Sequence, residues 1–346
     1  MPSPRRTERP TTGWLPDVLA ELRAEVGREV AVMSRLQIAG RNVCIRYATT
    51  ELADRLTPAT RHLTSPHHGT PDLTIDFWTE ANHACFVPAG SPAGTTVVDA
   101  GSVVVSWDAM GGPLVAYDRV RRHGWIRFSR SANALRWEPA APFSRIMHWW
   151  AFDKGLQLLH AAAVGRAAGG VLLVGRGGSG KSTTALACLA AGLDFAGDDR
   201  CLVAAGDPPV VHGLYASAKG DDRTARLLPE FKAEFAQSPL RVDGESIIFP
   251  DRVRPHGISS GFPLLGIIIP RPGGSPESRV VPSRPSAALR ALAPSTLMQM
   301  PGHRAAGLQR LAAVVRRLPA WELTLGPDPA TAASVIRALL DEELGA

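Results

Sequence analysis

The apolar run Gly170-Val-Leu-Leu-Val174 leads without a gap into Gly175-Arg-Gly-Gly-Ser-Gly-Lys-Ser182, and the alanine-rich stretch Lys181–Ala191 follows. Five apolar residues before a glycine cluster read as a buried strand, and the residues after it are helix formers. A strand, a tight loop and a helix in that order commit this part of the chain to an α/β fold, with the strand inside a sheet and the helix packed across it. The loop matches GxxxxGK[ST] in full, in the strand–helix frame the motif needs. Gly175, Gly177, Gly178 and Gly180 let the backbone curl so that its N–H groups face inward at phosphate oxygens, and the helix adds its positive end. The expected nucleotide-binding segment is therefore Gly175, Arg176, Gly177, Gly178, Ser179, Gly180, Lys181, Ser182 and Thr183. Lys181 would reach the β- and γ-phosphates, and the Ser182 hydroxyl would ligate the Mg²⁺ that bridges them. The whole chain has four lysines, Lys154, Lys181, Lys219 and Lys232, so a lysine at this place is informative. The loop alone predicts triphosphate binding, a property shared by motors, switches and kinases.

Asp198-Asp199 narrows this. The pair ends the run LDFAG, seventeen residues after Lys181. A strand there, lying beside the phosphate loop in a parallel sheet, would carry two carboxylates to the edge where ligands gather. Adjacent carboxylates in different environments divide work, one holding metal and the other accepting a proton. Asp198 is expected as the base and Asp199, with Ser182, on the metal. His160 ends the apolar stretch Leu156–Leu159, fifteen residues before the loop, and an antiparallel or neighbouring strand would bring it next to Asp198. Lys219 is a candidate for neutralising charge in the transition state. Arg252 and Arg254 are weaker candidates for a charge clamp. His67-His68, in a Pro/Gly-rich loop, lacks metal-ligand spacing and reads as exposed loop.

Taken together, LLHAAAVG, VLLVGRGGSGKSTTALACLAAGLDFAGDDRCLV and the order His, loop, helix, DDR resemble the HPr kinase/phosphorylase family over roughly residues 156–204, and more loosely to 344. The resemblance implies the fold shared with phosphoenolpyruvate carboxykinase, ATP in the loop, and an aspartate of the pair assisting a serine hydroxyl. Two departures stand out. His160-Ala161 replaces the family's His-Gly, and the acidic, glycine-rich signature of the phosphorylase activity is absent. In its place Leu214-Tyr-Ala-Ser-Ala-Lys-Gly220 is similar to divergent HPr-kinase-like proteins of lasso-peptide maturation systems, which implies a peptide substrate and leaves the reverse reaction without its signature. Assembly of copies through this domain is likewise only implied by the resemblance.

At 346 residues the chain is long enough for two domains. Residues 1–13, rich in Pro, Thr and Arg, read as a disordered tail. Trp14–Val32 has helical spacing, and Val43–Trp137 breaks into short strand-like runs, at Leu73–Trp78, Thr95–Val98, Ser102–Trp107, Leu114–Asp118 and Gly124–Phe128. A mainly β domain over 14–150, positioning a substrate, followed by a P-loop kinase domain over 151–346, is the expected organisation. Pro142–Leu159 has helical spacing and would bridge them. The tryptophans of the first half read as core.

Hydrophobic and charged fractions of 45% and 20% exclude disorder and fibrous classes, and a charge of +6, spread along the chain, gives no nucleic-acid signal. Cys44, Cys85, Cys188 and Cys201 form no CxxC pair, which argues for free thiols rather than zinc or disulfides. No signal peptide or apolar span is read, so the expected location is cytoplasmic, with no membrane partner. The leading expectation is an ATP- and Mg²⁺-dependent kinase acting on a serine of a peptide or small protein. A small-molecule kinase of the same fold and a nucleotide-sensing module without transfer are the alternatives.

Overall fold

The computed structural model describes residues 14–25, 30–66, 69–80, 95–108, 112–129, 138–242, 244–273, 276–299 and 302–345. The expected tail over 1–13, His67-His68, Cys85 and Trp137 lie outside the described residues.

The short alternating runs of the first half pair into a seven-stranded sheet. Its strands are β1 (Val32–Ile38), β2 (Arg41–Tyr47), β3 (Leu73–Glu80), β4 (Thr95–Asp99), β5 (Val103–Asp108), β6 (Leu114–Asp118) and β7 (His123–Ser129). They lie in the order β1-β2-β3-β7-β6-β5-β4. Side chains alternate between faces along a strand. Trp78, Trp107 and Trp125 therefore meet helix α1 (Leu15–Glu25) through Val18, Leu19 and Leu22 on one face. Ile75, Phe77 and Phe128 point to the other, against α2 (Thr50–Leu56) and α3 (Ser144–Asp153). The same apolar cluster takes in Leu158, Leu202, Tyr215 and Ile247, so the packing of this sheet is continuous with that of the second half of the chain.

The second sheet has nine strands: β8 (Leu156–Leu159), β9 (Ala162–Arg166), β10 (Gly169–Leu173), β11 (Asp194–Gly197), β12 (Cys201–Ala204), β13 (Val210–Gly213), β17 (Gly261–Pro272), β18 (Arg279–Ser283) and β19 (Ala320–Leu325). The path is β11-β9-β10-β17-β13-β12-β8, with β19 beside β17 and β18 beside β19. Along β10, Val171 and Leu173 pack under α4 (Lys181–Ala190) and α9 (Pro329–Gly345), while Leu172 joins the core beneath α7 (Pro285–Gln299) and α8 (Arg304–Val315). Burial on both faces explains why the strand reads as a continuous apolar run. A small third sheet orders β14 (Ala218–Gly220), β16 (Glu245–Ile248) and β15 (Arg241–Val242), near the short helices α5 (Asp222–Leu227) and α6 (Lys232–Gln237). The chain is thus α/β with several sheets. Among the described residues no helix is long and apolar enough to cross a membrane.

Three expectations about elements are corrected. The first helix is described only to Glu25, and Val32 already belongs to β1. The helix expected over Pro142–Leu159 stops at Asp153, because Gly155 takes a φ of +81° that ends it, and Leu156–Leu159 becomes β8. The strand carrying the aspartates does not lie beside β10 in a parallel sheet. β9 stands between them, antiparallel to both. A reversed central strand still leaves β10 and β11 pointing the same way, so their C-terminal ends open onto one edge.

Candidate active site

The loop between β10 and α4 owes its shape to its glycines. Gly178 has a φ of +74° and Gly180 of +94°, a region side chains disfavour. At Gly180 a Cβ would also stand 2.4 Å from Leu325 Cδ1, since the end of β19 presses against the loop. Gly180 is the N-cap of α4, whose first N–H groups face the loop. Lys181 is 6% exposed, and its Nζ donates to the carbonyls of Gly175 at 2.9 Å and Arg176 at 3.2 Å. Burial lowers its pKa against the pull of Asp198 and Asp199. The Ser179 hydroxyl is buried in the loop without a hydrogen-bond partner.

Asp198 and Asp199 follow β11 directly and differ sharply in surroundings. Asp198 is 2% exposed; its Oδ1 accepts from Ser182 Oγ at 2.9 Å and its Oδ2 from the Lys219 backbone N–H at 3.3 Å. Burial, and then the charge of Asp199, push its pKa up. Asp199 sits at a φ of +66°, a conformation Asp tolerates better than most residues. Its Oδ1 lies 2.6 Å from His160 Nε2 and its Oδ2 2.8 Å from Lys219 Nζ. Burial would raise its pKa, but the bond from His160 and the charges of Lys219 and Arg200 outweigh it and hold the carboxyl well below its ordinary value.

The topology explains this meeting. β8 pairs antiparallel with β12, with Leu159 opposite Cys201, so His160 comes out level with the Asp199-Arg200 turn. His160 therefore reaches Asp199 rather than Asp198. β14 brings Lys219 to the same place, and the turn before α3 braces the approach to it, with Tyr215 Oη donating to the Pro142 carbonyl at 2.6 Å. His160, Lys181, Ser182, Asp198, Asp199 and Lys219 thus form one cluster at the edge of the second sheet. The expected partner of Ser182 at the metal was Asp199; geometry joins Ser182 to Asp198 instead. Thr183 Oγ1 lies 3.3 Å from Thr224 Oγ1, on α5. Arg252 and Arg254 are engaged elsewhere: Arg254 with Glu230, and Arg252 over the Phe249 ring at 5.2 Å and 3.6 Å from Glu234.

Sequence reading missed two side chains here, Thr296 and Gln299 of α7. The His160 backbone N–H donates to Thr296 Oγ1 at 3.0 Å, and Gln299 Nε2 lies 3.2 Å from His160 Nδ1. They stand 136 and 139 residues away in the chain, and no local motif marks them.

No family model matches the chain, and no curated protein matches its sequence. Among the solved structures that match is the Hpr(Ser) kinase/phosphatase from Coxiella burnetii, at 12% identity and a TM-score of 0.30, covering 54% of this chain and 97% of that one. A likeness at that level establishes neither fold nor activity.

Proposed function

We propose that the protein is an ATP- and Mg²⁺-dependent kinase that transfers the γ-phosphate to a serine hydroxyl of a peptide or small protein. The observation that carries this reading is the 2.9 Å bond from the phosphate-loop Ser182 to Asp198, beside an Asp199 held on both oxygens by His160 and Lys219. A binding module needs the loop; it has no need of a second carboxylate so arranged.

The residues present fit the groups this chemistry requires. Ser182 Oγ and Asp198 Oδ1 are hard oxygen donors whose separation matches neighbouring ligands on an octahedral Mg²⁺, about 2.9 Å for bonds of about 2.1 Å. Asp198 has only neutral hydrogen-bond donors, and its raised pKa reports buried negative charge that a cation would relieve. The unpartnered Ser179 hydroxyl and the α4 N-terminus fit phosphate oxygens.

In this reading Ser182 and Asp198 would hold Mg²⁺, which would supply charge neutralisation on the phosphates. Lys181 turns from the loop carbonyls onto the phosphates. Asp199, kept ionised by His160 and Lys219, orients the acceptor hydroxyl and takes its proton. Its low pKa is no obstacle: in a loose phosphoryl-transfer transition state the hydroxyl acidifies late, and positioning outweighs basicity. This reading gives the proton-accepting role to Asp199 and the metal role to Asp198, the reverse of the expectation from sequence. A maturing lasso-type peptide as acceptor is supported only by the resemblance of Leu214–Gly220.

Labelled ATP with Mg²⁺ and serine-containing peptides provides the test. Transfer is expected, with losses of at least about 100-fold in Lys181→Ala and Asp199→Asn. Label reaching only amino acids or sugars would identify a small-molecule kinase. Tight ATP binding with no label on any acceptor would overturn transfer and favour a nucleotide-sensing module.

A further inference from the structure

Gln299 closes a chain of hydrogen bonds whose polarity can be worked out from donor chemistry alone. Arg200 Nη1 lies 3.2 Å from Gln299 Oε1. A guanidinium only donates, so the amide oxygen belongs on the Arg200 side and the amide nitrogen on the His160 side, 3.2 Å from Nδ1. An amide nitrogen only donates as well. His160 Nδ1 must then offer a lone pair, which leaves the proton of the neutral ring on Nε2, directed at Asp199 Oδ1 2.6 Å away.

We propose that Gln299, oriented by Arg200, is a positioning residue that fixes His160 in the Nε2–H tautomer and so presents Asp199 to the acceptor. The opposite tautomer would set a ring N–H against the Gln299 N–H groups and a bare ring nitrogen against a carboxylate oxygen, losing both bonds at once. α7 grips His160 twice, because Thr296, three residues before Gln299, takes its backbone N–H at 3.0 Å. One helix therefore sets both where the histidine stands and which nitrogen carries its proton. With Nε2–H on one oxygen and Lys219 Nζ on the other, Asp199 is held in a single orientation. The catalytic meaning of this arrangement rests on the kinase reading; the tautomer does not.

The ¹⁵N spectrum of His160 in the full chain, assigned with His160→Gln and recorded at pH 8, reads the tautomer directly. The expected spectrum has Nε2 protonated and Nδ1 bare. In Gln299→Glu the new carboxylate accepts from Arg200 and from the ring, so Nδ1 becomes protonated. In parallel, kcat for peptide phosphorylation should fall roughly 10-fold or more in Gln299→Glu, with the KM for ATP within about 2-fold, as expected when an outer partner misorients an imidazole. Gln299 is an exposed helix end, so the variant keeps its fold. A wild-type ring protonated on Nδ1, or an Nδ1 resonance that does not move in Gln299→Glu, would overturn the proposal. Absence of transfer in the wild type would sink the kinase reading while the spectrum still decides the tautomer.

Discussion

Replacing Lys219 by Met removes a positive charge 2.8 Å from Asp199 Oδ2 while keeping most of the apolar stem. At that distance, with an effective dielectric constant of about 20, the gross attraction is about 6 kcal/mol. Both side chains are about one-fifth exposed, so desolvation and the lost freedom of a lysine, about 2 kcal/mol, offset much of it. A net pairwise energy of about 2 kcal/mol remains. Lys219→Met alone should cost about 2–3 kcal/mol, since Asp199 keeps its charge beside Asp198 with the His160 bond and the charge of Arg200 left to hold it. Asp199→Asn after Lys219→Met should cost far less than in the wild type. Urea unfolding of the two single variants and the double variant, at constant m-value, measures the coupling. Asp199 titrates lower in the folded protein than in the unfolded chain, so its contribution is present above about pH 4 and is lost only as the pH falls further. The coupling should therefore be equal at pH 7.5 and pH 5. Single effects that add to within about 0.5 kcal/mol would show that the ion pair contributes nothing, and that Asp199 is held by other means.

Gly180→Ala introduces a Cβ at a φ of +94° and 2.4 Å from Leu325 Cδ1, and should destabilise the fold by about 1–3 kcal/mol while weakening ATP binding at least about 10-fold. Calorimetric titration of ATP into Gly180→Ala and Gly180→Ala/Leu325→Ala separates the two causes, because trimming Leu325 relieves the contact and leaves the backbone strain. His148 is buried, and burial lowers its pKa from 6.5 to about 4. The unfolded chain then binds a proton the folded one refuses, so stability is lost as the pH falls from 6.5 towards 4, by up to about 3 kcal/mol at about 1.4 kcal/mol per pH unit. Urea midpoints in His148→Phe should lack that share of the decline; an unchanged pH dependence would refute it.

Patterns confined to neighbouring residues were legible without coordinates. The phosphate loop, its strand and its helix are contiguous, so a glycine spacing and an apolar run define them together. The strands Leu73–Glu80, Thr95–Asp99 and Leu114–Asp118 were readable for the same reason, because side-chain alternation is a local property. Helix ends were less so: apolar spacing continued past Asp153 although the left-handed turn at Gly155 had already ended α3. Only the tertiary structure decided that β9 separates β10 from β11, that His160 meets Asp199, and that Ser182 meets Asp198. Strand order follows from burying both faces of a sheet at once, which involves α4, α7, α8 and α9 together and leaves no trace in a short window. Gln299 marks that limit, since its hydrogen bonds are directional and its partners lie 99 and 139 residues away. By itself the sequence determined the strand, the glycine-rich loop and the helix around Gly175–Ser182; which carboxylate faces which partner was settled by packing, because only folding brings such distant donors and acceptors within hydrogen-bonding reach of one another.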